Sequence, residues 1–171
     1  IIAGSFFSSS AFAASYQLNI GTIIDPIQSV FGGDLLYSGN NLEPGAALSG
    51  ESLIGANLSD ANLSSANLFN ANLSNANLSG ALLTNANLGG ADLSFVSLAS
   101  ADLTFASLFG ADFSNATLAN ATGLPQTFGN ASTLYHANTT FTGTFFAPVA
   151  AGWTLVPEPG TALLMGLGLV G

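Results

Sequence analysis

Between positions 46 and 120 a leucine or phenylalanine returns at every fifth residue without one slip, and no other feature constrains the fold as tightly. The positions are Leu48, Leu53, Leu58, Leu63, Leu68, Leu73, Leu78, Leu83, Leu88, Leu93, Leu98, Leu103, Leu108, Phe113 and Leu118. Alanine stands two residues before each, except where Glu51 and Val96 replace it. The residue between is mostly polar: Asn57, Asn62, Asn67, Asn72, Asn77 and Asn87, then Asp92, Asp102 and Asp112. The unit is Ala-(Asn/Asp)-Leu-x-x, fifteen times in register. A repeat this regular decides the fold before local propensity does.

A period of five suits neither ordinary element. On an α-helix, five steps of roughly 100° leave each leucine ~140° round from the last, so no apolar stripe forms. On a straight strand, an odd spacing throws successive leucines to opposite faces. Alanine and leucine two apart do share one face of an extended segment. If the chain turns a corner after each short extended piece, every alanine and leucine points to a common axis. The middle residue and the last two of each unit then face water. The result is a coiled β-solenoid whose stacked backbones pair at ~4.7–4.9 Å.

These units resemble the pentapeptide-repeat family. That resemblance implies an all-β fold, a right-handed quadrilateral β-helix of about fifteen pentads with irregular caps. It also implies that the leucine and the small residue before it point inward, and that four pentads make a coil. Fifteen pentads then give a rod only ~18 Å long, with Leu53, Leu73, Leu93 and Phe113 stacked on one side. The resemblance covers residues 46–120 and says little about the flanks.

Composition narrows the partners. Among 171 residues there is no Lys, Arg or Cys, and the net charge is −9. A chain without cations builds no phosphate clamp and no nucleic-acid groove; without cysteine it has no disulfide and no thiolate chemistry. The acids are Asp25, Asp34, Glu43, Glu51, Asp60, Asp92, Asp102, Asp112 and Glu158.

The flanks carry different signals. Residues 1–14 are apolar and small, ending in Ala11-Phe12-Ala13, and read as the end of a secretory signal with Ala11 and Ala13 at the cleavage site. An ordinary buried segment is the alternative. Residues 15–45 read as an N-terminal cap. There Asp25-Pro26 is a helix N-cap and first-turn pair, and Ile27, Val30, Phe31 and Leu35 have helical spacing. Residues 121–155 read as a C-terminal cap and linker, with a strand or irregular segment over the last coil shielded by Tyr135 or Trp153.

Residues 156–171 open with Val156-Pro157-Glu158-Pro159 and continue into a Gly-spaced leucine run. This resembles a PEP-CTERM sorting signal, found in envelope proteins of Gram-negative, exopolysaccharide-producing bacteria and processed by an exosortase. The resemblance makes Val156, Pro157, Glu158 and Pro159 the sorting motif and implies a transient inner-membrane anchor. The apolar run from Thr161 covers 11 residues where ~20 are needed for a span. The chain also begins without Met, so the expectation is a fragment of a longer product.

Little here does chemistry. His136 is the only imidazole and Cys and Lys are absent, so no histidine-rich metal site, cysteine nucleophile or Schiff base is available. Four pentads per coil place Asp92 and Asp112 on one side of adjacent coils. They either hold a cation through oxygen ligands or stand screened in solvent. Phe69 and Phe109 fall on one side two coils apart, and Phe95 and Phe105 at pentad ends on opposite sides; outward aromatics need cover from the flanks or from a partner.

The reading is an exported, non-enzymatic β-helical protein of the cell envelope or extracellular matrix, without metal or cofactor and without nucleic acid as a partner. Its expected partners are the exosortase and the membrane transiently, and polysaccharide or copies of itself. The alternative draws on family members that inhibit gyrase: a cytoplasmic DNA mimic, compatible with the −9 charge.

Overall fold

The structure, a computed structural model, describes residues 16–17, 23–24, 28–32, 42–124, 129, 132–136, 138–143 and 147–156. Its frame is a set of parallel bridges between residues twenty apart. Ala47 pairs Asn67, which pairs Asn87, which pairs Ser107. Ser52, Asn72, Asp92 and Asp112 form a second ladder, Asn57, Asn77, Ser97 and Thr117 a third, and Asn62, Leu82, Asp102 and Thr122 a fourth. Twenty residues per coil are four pentads, so the repeat folds as a four-sided β-helix. We name the sides in chain order: the first begins with 46–50, the second with 51–55, the third with 56–60 and the fourth with 61–65.

Each corner turns by the same device. The last residue of every pentad from Gly45 to Asn120 has positive φ, between 55° and 75°. The alanine after it donates its N–H back to the preceding leucine carbonyl, as in Ala61 N to Leu58 O at 3.1 Å. A hydrogen-bonded turn with a left-handed third residue is the type II geometry, which selects Gly or Asn there. The corner residues comply: glycine, asparagine, aspartate or serine, save Phe95 and Phe105.

The pentad 76–80 shows how completely the backbone is satisfied. Ala76 N–H closes the turn on Leu73 O (3.0 Å), Asn77 N–H reaches Ala56 O in the coil before (2.8 Å), and Leu78 and Gly80 N–H reach Ser97 O (2.7 Å) and Ala99 O (2.8 Å) in the coil after. The one donor left, Ser79 N–H, is taken by Asn77 Oδ1 at 3.1 Å. A short solenoid strand leaves this donor without a backbone partner, and a buried or half-buried orphan costs ~1–3 kcal/mol. The middle Asn or Asp is thus structural: it closes an Asx turn on the residue two ahead.

Inside, all fifteen ladder residues from Leu48 to Leu118 are fully buried, and the alanines and Val96 are buried beside them. Each leucine withdrawn from water contributes roughly 1.5–3 kcal/mol. The repeat backbone runs one pentad past residue 120, since Thr122 pairs Asp102 and Ala121 is buried. Gly123 holds the place of the central leucine there: a Cβ would overlap the Thr104 backbone, and φ is +77°. The regular leucine ladder therefore ends at that point, and the buried Leu124 beside it joins the core instead.

The C-terminal flank extends the second side instead of merely covering it. Asp112–Phe113 pairs in parallel with Leu134–His136, which pairs in parallel with Thr154–Val156. Phe113 thus has Tyr135 in register above it, and Trp153 stacks on its ring with centroids 5.0 Å apart and planes at 19°. Phe141 meets both Tyr135 and Trp153 edge-on. Tyr135 and Trp153 are both buried, so both, rather than one, close the leucine column. Two buried hydroxyls are satisfied in the same closure, Thr133 Oγ1 on Leu108 O and Thr139 Oγ1 on Phe113 O, each at 2.7 Å.

At the other end the expected helix is replaced by extended chain. Gln28–Ser29 pairs antiparallel with Ala56–Asn57, and Tyr16–Gln17 with Ile23–Ile24. Val30 N donates to Gly55 O at 2.7 Å, and Val30 and Phe31 are exposed in a turn rather than lying on an inward helix face. Asp25, Pro26, Ile27 and Leu35 lie outside the described residues. The physical reason is the open edge of the first coil, whose unpaired N–H and C=O groups recruit a strand; four apolar residues broken by Gly32-Gly33 give a helix too little to bury.

Candidate functional site

With the inside given over to leucine and alanine, whatever the chain recognises is met by its four walls. The second wall carries three of the six described acids: Glu51, Asp92 and Asp112. The third has Asp60 at its corner, and the fourth has Asp102. The first wall, residues 46–50, 66–70, 86–90 and 106–110, has no ionisable side chain.

Asp92 and Asp112 are bridge partners on adjacent coils, as the spacing implies. Each also does the work of the asparagines. Asp92 Oδ1 accepts from Ser94 N (3.0 Å) and Oγ (2.6 Å), and Asp112 Oδ1 accepts from Ser114 N (2.8 Å). Asp102 is held likewise by Thr104 N at 2.9 Å and by Thr104 Oγ1. One oxygen of each carboxylate is therefore committed to its own turn. Among the described residues no three His, Asp or Glu side chains gather as a metal-binding group. His136 lies in the strand Leu134–His136, opposite Val156.

The four outward phenylalanines stand clear of the described flanks. Phe69 and Phe109 are 45% and 48% exposed on the first wall; Phe95 and Phe105 are 60% and 51% exposed at opposite corners. Neither described flank covers them. Phe95 and Phe105 also hold φ of 58°, a left-handed conformation that costs a bulky residue on the order of 1–3 kcal/mol. Sequence reasoning placed these four rings outward but missed the backbone strain. The signal was present: Gly, Asn, Asp or Ser at every other pentad end marks those positions as left-handed.

Of the sorting motif, Val156 ends the strand Thr154–Val156 and is half-buried. Pro157, Glu158 and Pro159 lie outside the described residues, as do Ala11 and Ala13. Among the described residues no helix is long and apolar enough to cross a membrane.

A four-sided solenoid with one five-residue unit per side defines a class of repeat protein, and comparison with known proteins identifies it. The family model "Pentapeptide repeats" matches in eight copies over residues 46–85 and 76–115. A pentapeptide repeat protein from Nostoc Pcc 7120 is 37% identical, over 62% of this chain and 85% of that one, with a TM-score of 0.57. The chain belongs to the pentapeptide-repeat family, and its helix is the right-handed quadrilateral form. A second member, from the Arabidopsis thaliana thylakoid lumen, is 32% identical over 58% of this chain, with a TM-score of 0.45; the chain spans 60% of its length. QnrB1, a plasmid-mediated fluoroquinolone resistance protein, is 18% identical over 68% of this chain and 71% of that one, with a TM-score of 0.26. No curated protein matches the chain.

Proposed function

We propose that this chain is an exported, non-enzymatic display protein of the cell envelope or extracellular matrix of a Gram-negative bacterium. It is sorted through Val156-Pro157-Glu158-Pro159 by an exosortase, with a transient stay in the inner membrane, and its walls then contact polysaccharide or further copies of the chain. The observation that carries this reading is the outer surface of the repeat: rungs of Asn, Ser and Thr with few charges and no cation. The likeness of residues 156–159 to a sorting signal and of residues 1–14 to a signal peptide supports export.

The DNA-mimic alternative needs rows of carboxylates spaced like phosphates. Here three of fifteen middle positions are acidic, and they divide between two walls, Asp92 and Asp112 on one and Asp102 on another. That arrangement gives no continuous acidic stripe, and the mimic is not favoured. The test is to express the complete gene in an exosortase-bearing host, fractionate the cells and map the product's ends by mass spectrometry. A product cleaved at the Pro-Glu-Pro motif and recovered outside the inner membrane is expected. An unprocessed chain in the cytoplasm overturns the reading.

A further inference from the structure

We infer that the first wall is a binding site for a neutral, extended glycan chain, with Phe69 and Phe109 as stacking platforms and the Asn67–Asn87 amides as hydrogen-bonding partners. This deepens the polysaccharide reading above and rests on it.

Three features of this wall converge. The first is charge. In a chain of net charge −9, this is the one wall without an acid. A neutral ligand desolvates no ion there, whereas a cationic one would prefer Glu51, Asp92 and Asp112 next door, and an anionic one is repelled by the whole field.

The second is the seating of the rings. Phe69 and Phe109 occupy the position after the central leucine in the same ladder, two coils apart, or roughly 9–10 Å. Between them lies Gly89, the one glycine at that position among the fifteen pentads. A Cβ on Gly89 would come 3.1 Å from Phe69 Cδ2 and 3.4 Å from Cε2. The ring therefore lies along the wall over a buried glycine and does not stand off into water. An aromatic surface laid flat at Phe69, with a second outward ring rooted at Phe109 two strand spacings further along the same ladder, suits an extended β-linked glycan, in which alternate sugar rings present the same CH-lined face. Phe105, at the corner that opens this wall in the coil of Phe109, prolongs the apolar strip.

The third is the amide rung beside the rings. Asn87 Nδ2 donates to Asn67 Oδ1 at 3.3 Å, while Asn67 Oδ1 also accepts from Phe69 N and Asn87 Oδ1 from Gly89 N. Both side-chain oxygens are thereby committed. The Nδ2 hydrogens that these bonds leave over are the donors this site would offer to sugar hydroxyl and ring oxygens.

Size selects the occupant. The wall is roughly 10 Å by 18 Å, far below the ~800 Å² per partner of a stable protein interface. A second copy of the chain has too little to hold here. One polysaccharide strand, lying parallel to the solenoid axis, covers it.

The test uses the purified 171-residue chain in retention assays on cellulose and chitin, and in titration with cellohexaose. Phe69→Ser and Phe109→Ser are the variants, since serine is the commonest residue at that position and the turn is kept; Phe95→Asn, at the corner between the second and third walls, is the control. Retention on at least one neutral glycan is expected, with each serine variant weakening it up to about tenfold, the size of one aromatic stack, and the control unchanged. No retention, or retention indifferent to both serine variants, overturns the inference. So does a dimer in solution that Phe69→Ser dissociates, which would assign the wall to a second copy. Because binding is read on purified protein and export in cells, either reading can fail while the other stands.

Discussion

Removing the Trp153 indole tests whether the solenoid is closed at its C-terminal end and whether it behaves as a stack of nearest-neighbour layers. Trp153 is buried, stacked on Phe113 at 5.0 Å and edge-on to Phe141 at 6.1 Å. A buried Trp→Ala change costs about 3–5 kcal/mol, of which each aromatic pair accounts for roughly 0.5–1.5 kcal/mol. In a repeat array the loss stays with the layer that made the contact and its neighbour. Trp153→Ala should therefore loosen the strands Asp112–Phe113, Leu134–His136 and Thr154–Val156 and leave the early coils intact. Hydrogen exchange read by mass spectrometry checks both halves. Amides in 132–156 are expected to exchange about a hundredfold to a few thousandfold faster, while those in 46–95 change by less than ~0.5 kcal/mol. Uniform loss through all coils would refute the layered description. No loss anywhere would refute the closure.

Leu78→Lys places an unpaired ammonium among fully buried leucines at mid-rod and should cost more than ~4 kcal/mol; a chain that still melts cooperatively at the wild-type temperature would contradict the inward assignment. Asp92→Asn keeps the Asx turn on Ser94 and relieves like charges on adjacent strands. Denaturant unfolding should find it neutral to ~1 kcal/mol more stable, the gain fading in high salt. Asp92→Ala should instead lose about 1 kcal/mol through the orphaned Ser94 N–H; equal effects of the two changes would deny the turn-capping role. Gly123→Ala drives a Cβ into the Thr104 backbone at a left-handed position, and thermal melts should show a loss of roughly 2–5 kcal/mol. A neutral result would mean the end of the repeat is looser than the bridges indicate.

How much of this was readable beforehand follows from where the repeat speaks and where it falls silent. The period of five excludes helix and flat strand by geometry, so the four-sided solenoid and its inward leucines were legible from residues 46–120 alone. The role of the middle asparagine was not, because a polar residue between two buried ones reads as solvent-facing until the stray N–H two residues ahead is counted. Nor was the pairing of the C-terminal flank, although a segment over the last coil shielded by Tyr135 or Trp153 was expected. Asp112 pairs with Leu134 across 22 residues (134 − 112 = 22) and Leu134 with Thr154 across 20 (154 − 134 = 20). With irregular pentads between, no period survives to be seen. At the N-terminal end, Asp25-Pro26 was a sound local signal, but the described chain just beyond it answers to the unpaired edge of the first coil.

Phe113 shows how such silence can still be informative. In a column of leucines, an aromatic at the last regular coil changes the packing partner it can accept, from another leucine to a flat ring. Trp153 and Tyr135 are what arrives. The same logic applies outside. Because every inward position is nearly invariant within the chain, the inward positions carry almost no information about recognition. That information sits in the two turn positions, where serine, asparagine and glycine suffice for the fold. Phe69 over Gly89, Phe109, and the strained Phe95 and Phe105 depart from what the fold needs. A departure that adds strain or exposed apolar surface, without deepening the core, is not explained by the fold, and Phe69 and Phe109 are the positions at which the proposed binding is tested.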